Sequence, residues 1–171
     1  MKAPFSIVYS SKTGNTAVLA KKIQSCLPGG DAVYCGPPAC DAADADFIFA
    51  GFWTNMGTCD EGMSAFLEGL RGKKLFLFGT AGFGGEPEYF AKILSRVSSK
   101  LDGSNWVVGS FLCQGKMPDS VQKKYEALAS QEPSKAAVLL ENFERALQHP
   151  DASDLERLEQ AVLEAVNGEN D

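Results

Sequence analysis

The chain has 171 residues, 44% of them hydrophobic and 22% charged, the size and balance of one globular domain and not of a disordered or fibrous chain. Sixteen Lys and Arg against 22 Asp and Glu leave a net charge of −6, which argues against nucleic-acid binding and against docking on an anionic membrane surface. The longest apolar runs, 47–53 and 75–78, fall far short of the ~20 residues needed to span a bilayer.

The chain opens on Met1-Lys2-Ala3-Pro4 and passes at once into a strand pattern over 5–9, without the anatomy of a signal peptide; a cytoplasmic protein is expected. Leu19, Ile23, Cys26 and Leu27 stand at helical spacing and predict a helix over 15–27, closed by Pro28-Gly29-Gly30. A short strand is expected at 32–35, and the continuous apolar runs 46–51 and 75–78 predict two more. Between them Met63, Phe66, Leu67 and Leu70 mark a helix face. Phe90, Ile93, Leu94, Val97 and Leu101 mark another, and a fifth strand is expected over 106–113. Strands that are apolar throughout are buried on both faces, and strict β-α alternation implies parallel pairing. The expectation is a single α/β domain over 1–171: a three-layer, doubly wound, five-stranded parallel sheet.

The tail is longer than such a sheet needs. Val121, Tyr125 and Leu128 suggest one helix and Leu139, Phe143 and Leu147 a second, together an extra helical segment over about 116–148. Leu155, Leu158, Val162 and Val166 suggest a last helix over about 153–166, capped by Asp151 or Ser153. Residues 141–171 hold nine acidic and two basic side chains. This run reads either as a solvated helix face or as an electrostatic docking patch for a basic partner.

Five cysteines (Cys26, Cys35, Cys40, Cys59, Cys113) are an odd number with no CxxC pair, which excludes a zinc ribbon or a ferredoxin-type cluster and reads as reduced thiols. His149 is the single histidine, which removes most metal sites and any Ser-His-Asp machinery; no metal site and no catalytic side chain is expected.

The stretch Tyr9-Ser10-Ser11-Lys12-Thr13-Gly14-Asn15-Thr16 lies between the first strand and first helix, where α/β sheets bind ligands beyond their carboxyl ends. Free backbone N–H groups, the positive end of a helix dipole, four hydroxyls, an amide and one lysine suit a phosphate monoester. Neither GxxxxGK[ST] nor GxGxxG fits here. Ser11-Lys12-Thr13-Gly14-Asn15-Thr16 resembles the phosphate-binding loop of the flavodoxin family, of pattern T/S-x-T-G-x-T. The resemblance covers roughly residues 1–113 and one later helix. It implies strand order 2-1-3-4-5, non-covalently bound FMN, and one-electron transfer between redox enzymes.

The resemblance also implies two flavin-ring loops. After the third strand come Trp53, Thr54, Asn55, Met56, Gly57 and Thr58; after the fourth come Thr80, Gly82, Phe83 and Gly84. Trp53 is the first choice for stacking on the ring, with Met56 and Phe83 next. Met56-Gly57 matches the family's glycine-containing peptide that turns toward flavin N5 on reduction. The resemblance has departures: a neutral N-terminal half, Lys12 in the loop, and no tyrosine in the second ring loop. The expected activity is that of a monomeric electron carrier serving donor and acceptor reductases. The alternatives are an FMN-dependent NAD(P)H:quinone-type oxidoreductase, its pocket walled by the 114–148 segment, and a binding module that has lost its flavin.

Overall fold

The computed structural model describes residues 4–27 and 32–168. Its strands are β1 (Phe5–Tyr9), β2 (Tyr34–Gly36), β3 (Phe47–Asn55), β4 (Thr58–Cys59), β5 (Lys74–Ala81) and β6 (Trp106–Gln114). Its α-helices are α1 (Asn15–Cys26), α2 (Glu61–Gly69), α3 (Pro87–Ser98), α4 (Asp119–Leu128), α5 (Pro133–Ala146) and α6 (Ala152–Asn167). The turn expected at Pro28–Gly30 lies outside the described residues.

The parallel sheet runs β2-β1-β3-β5-β6, with β4 paired antiparallel to β3 and off this path. Without that two-residue strand the order is the expected 2-1-3-4-5. Val8 sits between Gly36 and Ala50, and Phe49 is registered with Ile7 on one side and Phe76 on the other.

Two apolar layers flank the sheet. One gathers Phe5, Phe49, Phe76 and Phe78 against Leu19 and Ile23 of α1 and Leu158 and Val162 of α6. The other gathers Ile48, Phe52 and Leu77 against Met63 and Leu67 of α2 and Ile93 and Val97 of α3. The layers are close-packed: a Cβ built on Gly51 would stand 2.2 Å from the Phe78 ring. The fifth long strand departs from the two-sided burial expected of it. β6 is the sheet edge, and Trp106 at its start is 61% exposed.

The helix that closes the sheet is α6, the last one. Its N-cap is Asp151, whose side chain accepts from the Asp154 amide at 2.8 Å while Asp154 accepts from the Asp151 amide at 2.9 Å. The buried Asp154 also meets His149 Nδ1 at 2.6 Å and Arg157. Burial works to raise its pKa, but the bonds from His149, the Asp151 amide and Arg157 outweigh it and hold the carboxyl below its ordinary range. Along α6, Lys22 of α1 pairs with Glu159. α4 buries none of its residues and packs on α5. No helix among the described residues is long and apolar enough to cross a membrane.

Candidate functional site

Parallel strands deliver all their carboxyl ends to one edge, and the chain reverses its order of addition between β1 and β3. That edge carries a cleft of about 330 Å³, as α/β geometry favours at such a switch point. Its walls come from the segment after β1 (Lys12, Thr13, Asn15), the end of β3 and its turn (Trp53, Thr54, Met56, Gly57), the end of β5 (Thr80, Gly82, Phe83) and α3 (Tyr89). The segment after β6 completes it with Gly115, Lys116, Met117 and Pro118, followed by Val121 of α4.

The 10–16 loop is shaped by its own side chains. Gly14 holds φ +91° at the N-cap of α1, a left-handed conformation that suits glycine, and a Cβ there would meet nothing. Ser11 Oγ accepts from the Ala17 amide at 3.3 Å, and the Asn15 and Thr16 amides, first in the helix, have no acceptor among the described residues. Asn15 is buried and donates to Thr13 Oγ1 at 3.1 Å and to the Lys116 carbonyl at 2.9 Å. Ser10 donates to the Asp60 carboxylate, which also caps α2 through the Met63 amide at 3.2 Å. Thr16 turns inward, donating to the Phe52 carbonyl at 3.2 Å and meeting Thr80 Oγ1 at 3.3 Å. Ser10, Ser11, Gly14 and Thr16 therefore build the loop from behind, whereas Lys12, Thr13 and Asn15 face the cleft.

The second wall was expected to be a loop and is a hairpin. β3 continues to Asn55 and returns as β4, with Asn55 paired to Thr58. The two residues between them, Met56 and Gly57, both have positive φ (50° and 80°), the primed turn that matches strand twist. Met56 at the tip is 95% exposed, and Arg96 of α3 donates to the Gly57 carbonyl at 3.3 Å. Asn55 and Thr58 form the stem and face the opposite side of the hairpin, in a second depression with Lys100. Trp53 faces the main cleft and carries the Lys12 ammonium over its ring at 4.9 Å, a cation–π contact. Thr54 Oγ1 is shut off from solvent without a hydrogen-bond partner.

At the third wall, Thr80 and Ala81 extend β5, and Gly82 packs beneath Met117, whose Cγ would lie 2.5 Å from a Cβ at that position. Gly84 lies against Phe90 in the same way, at 2.7 Å, and does not line the cleft. Phe83 does, and its ring meets Tyr89 edge-on at 6.4 Å. Tyr89 answers the tyrosine missing from the loop itself: it enters from α3, one turn later, which the loop sequence does not display.

Gly115, Lys116, Met117, Pro118 and Val121 were not expected as site residues one by one, although the 114–148 segment was considered as a wall. Their signal was positional, at the carboxyl end of the last strand. The cations among the lining residues are Lys12 and Lys116, and no carboxylate lies among them. The two buried thiols are chemically quiet: burial pushes Cys59 up, and burial with Asp154 pushes Cys113 up strongly.

The residues present fit a flat, phosphorylated heterocycle. There are unpaired first-turn amides and a lysine for the phosphate, aromatic and thioether walls for a ring, and main-chain groups of Gly57, Gly82 and Phe83 for a polar edge. A sheet of this order with such a cleft at its switch point defines a flavodoxin-like α/β protein. The chain belongs to the flavodoxin family: the family model described as Flavodoxin domain matches residues 6–163. The chain is 34% identical over 182 residues to the flavodoxin-like domain-containing protein BilS of Clostridium symbiosum (strain WAL-14163), covering 95% of both chains. It is 32% identical to the protein of that name from Clostridioides difficile (strain CD3), covering 87% and 88%. Oxidised flavodoxin 2 from Bacillus cereus superposes with a TM-score of 0.60 over 97% of this chain and 99% of that one, at 17% identity, a likeness of fold.

Proposed function

We propose that this chain binds FMN non-covalently in the cleft and, as a single domain and a monomer, relays single electrons between donor and acceptor reductases in the cytoplasm. The observation that carries this is the convergence of the 12–15 loop, the Trp53–Gly57 hairpin and the Thr80–Phe83 segment on one cleft that contains cations but no carboxylate. When bound, FMN supplies electron acceptance and release one at a time. The chain's own groups bind and orient. Lys12, Thr13, Asn15 and the first-turn amides of α1 hold the phosphate, with Ser10, Ser11, Gly14 and Thr16 shaping that loop. Trp53 stacks on the ring, exchanging its Lys12 contact for the flavin face. Gly57 and Thr80 meet its polar edge together with Gly82 and Phe83, while Thr54 lines the cleft beside them and Gly84, packed on Phe90, supports that segment. Asn55 and Thr58 hold the hairpin that presents Met56.

A second function is favoured by Met117, Pro118 and Val121, which add an apolar wall to the same cleft: an FMN-dependent NAD(P)H:quinone-type oxidoreductase. One titration separates the two. The flavin-free protein is mixed with FMN, its absorbance recorded, and the complex reduced stepwise without oxygen, then with NAD(P)H alone. Uptake of one FMN, two resolved one-electron steps and no direct NAD(P)H oxidation are expected. Rapid two-electron bleaching by NAD(P)H would establish the oxidoreductase. Protein that takes up no FMN would refute both, leaving a binding module.

A further inference from the structure

The tail after β6 is joined to the cleft by a small buried polar network. Gln114, at the end of β6, and Asn142, on α5, are 8% and 6% exposed. Gln114 Nε2 donates to the Gly82 carbonyl at 3.0 Å and to Asn142 Oδ1 at 2.9 Å, and Asn142 Nδ2 donates to the same Gly82 carbonyl at 3.1 Å. Both acceptor positions of one backbone oxygen are thus taken by two side chains, 32 and 60 residues away in sequence. Burying two amides for this is costly unless every group is used. The ring they close with Gly82 uses both donors on Gln114 Nε2.

A trans peptide is planar, so its carbonyl and the following N–H point in opposite directions. Fixing the Gly82 oxygen toward α5 therefore aims the Phe83 N–H the other way. Among the described residues that N–H has no acceptor, while Gly82 and Phe83 both line the cleft and Asn142 does not. The two glycines that follow, with φ +109° at Gly85, leave the segment little stiffness of its own.

We infer that Asn142, acting with Gln114, is a positioning residue: helix α5 holds the Gly82–Phe83 peptide so that its N–H is presented to the polar edge of the ring bound in the cleft. This rests on the proposed FMN site, and it gives the otherwise supernumerary helix a task. The 116–118 segment ties α5 to the other end of the cleft as well. The Lys116 amide donates to the His149 carbonyl, just past α5, at 3.0 Å, while the Lys116 carbonyl receives Asn15.

The test uses the full chain with three probes: FMN, lumiflavin (the ring without its phosphate arm) and inorganic phosphate. Asn142→Leu removes the donor while keeping the branched shape of the side chain. FMN and lumiflavin are expected to bind roughly 10-fold more weakly, the equivalent of one misdirected hydrogen bond, with phosphate binding unchanged. In the flavin-free variant, backbone NMR order parameters over 82–85 are expected to fall while those in the sheet stay as they were. Asn142→Asp supplies a variant of the same shape. Above the carboxyl pKa it lacks the donor, and on protonation it regains one, so its lumiflavin affinity is expected to recover as pH falls. Ring affinity within twofold of the parent, or equal losses for ring and phosphate, would overturn the assignment. Parent protein that binds no flavin would refute the proposed function instead. The order parameters at 82–85 then decide on their own whether Asn142 orients the loop.

Discussion

Thr54 offers a test in which stability is expected to rise while binding stays as it was. Its hydroxyl is buried at the cleft with no partner, and an unpaired buried hydroxyl costs about 1–3 kcal/mol. Thr54→Val exchanges that hydroxyl for a methyl group of similar size, removing the penalty and adding about 0.8 kcal/mol of apolar burial. Valine also suits a strand such as β3. Taking about 2 kcal/mol for the sum, and about 2–4 °C per kcal/mol for a domain of this size, the flavin-free variant should melt about 4–8 °C higher. The same hydroxyl is closed off from the cleft, so a ligand there does not reach it, and FMN affinity should stay within about twofold of the parent. Melting curves with and without FMN report both quantities on one sample. A variant that melts lower when empty would show that the hydroxyl is already satisfied, and one that binds FMN about fivefold more weakly, the worth of one hydrogen bond near 1 kcal/mol, would show that it turns into the site.

Three further substitutions probe the scaffold. Gly51→Ala should lower stability by about 1–3 kcal/mol, because its Cβ would stand 2.2 Å from the fully buried Phe78 ring; urea denaturation measures the loss. Gly115→Ala would bring a Cβ to 2.6 Å from Asn15 Nδ2 and 3.1 Å from Thr80 Cβ. It should displace the phosphate loop and weaken FMN more than lumiflavin, as isothermal titration would report. The lowered pKa of Asp154 means the folded state binds fewer protons there than the unfolded chain. Its stabilisation is present above the ordinary value of 3.8 and is lost as pH falls through the folded value. Asp154→Asn should flatten the acid limb of a stability–pH curve while lowering stability at neutral pH.

The sheet was legible because its strands are apolar without interruption, which distinguishes a doubly buried parallel strand from a surface one. Phe47–Gly51 and Leu75–Phe78 carry that signal fully. Trp106 and Val107 carry it too, yet stand exposed, because composition does not reveal which strand ends at an edge. Met56-Gly57 was singled out as a peptide but not as the turn of a hairpin, for a different reason. Two-residue primed turns are most often Asn-Gly or Asp-Gly, and methionine at positive φ is rarely foreseen. The phosphate loop was legible as a string, but the inward turn of Thr16 was not, since its partners, Phe52 and Thr80, come from two other strands. The contributions of Tyr89, Lys116, Met117 and Val121 depend on tertiary closure and leave no local pattern.

The hairpin tip has a consequence for how the cleft responds to its contents. Inverting the Met56–Gly57 peptide would convert the present turn into its II′ counterpart, which calls for glycine at the first central position. Here glycine occupies the second, and methionine would be driven into backbone space that glycine alone visits freely, at about 1–3 kcal/mol. The tip thus behaves as a fixed template and not as the turning peptide that the family resemblance implied, its geometry favouring one face of that peptide. Reversing the order of the two residues, glycine first, would give the tip two accessible settings.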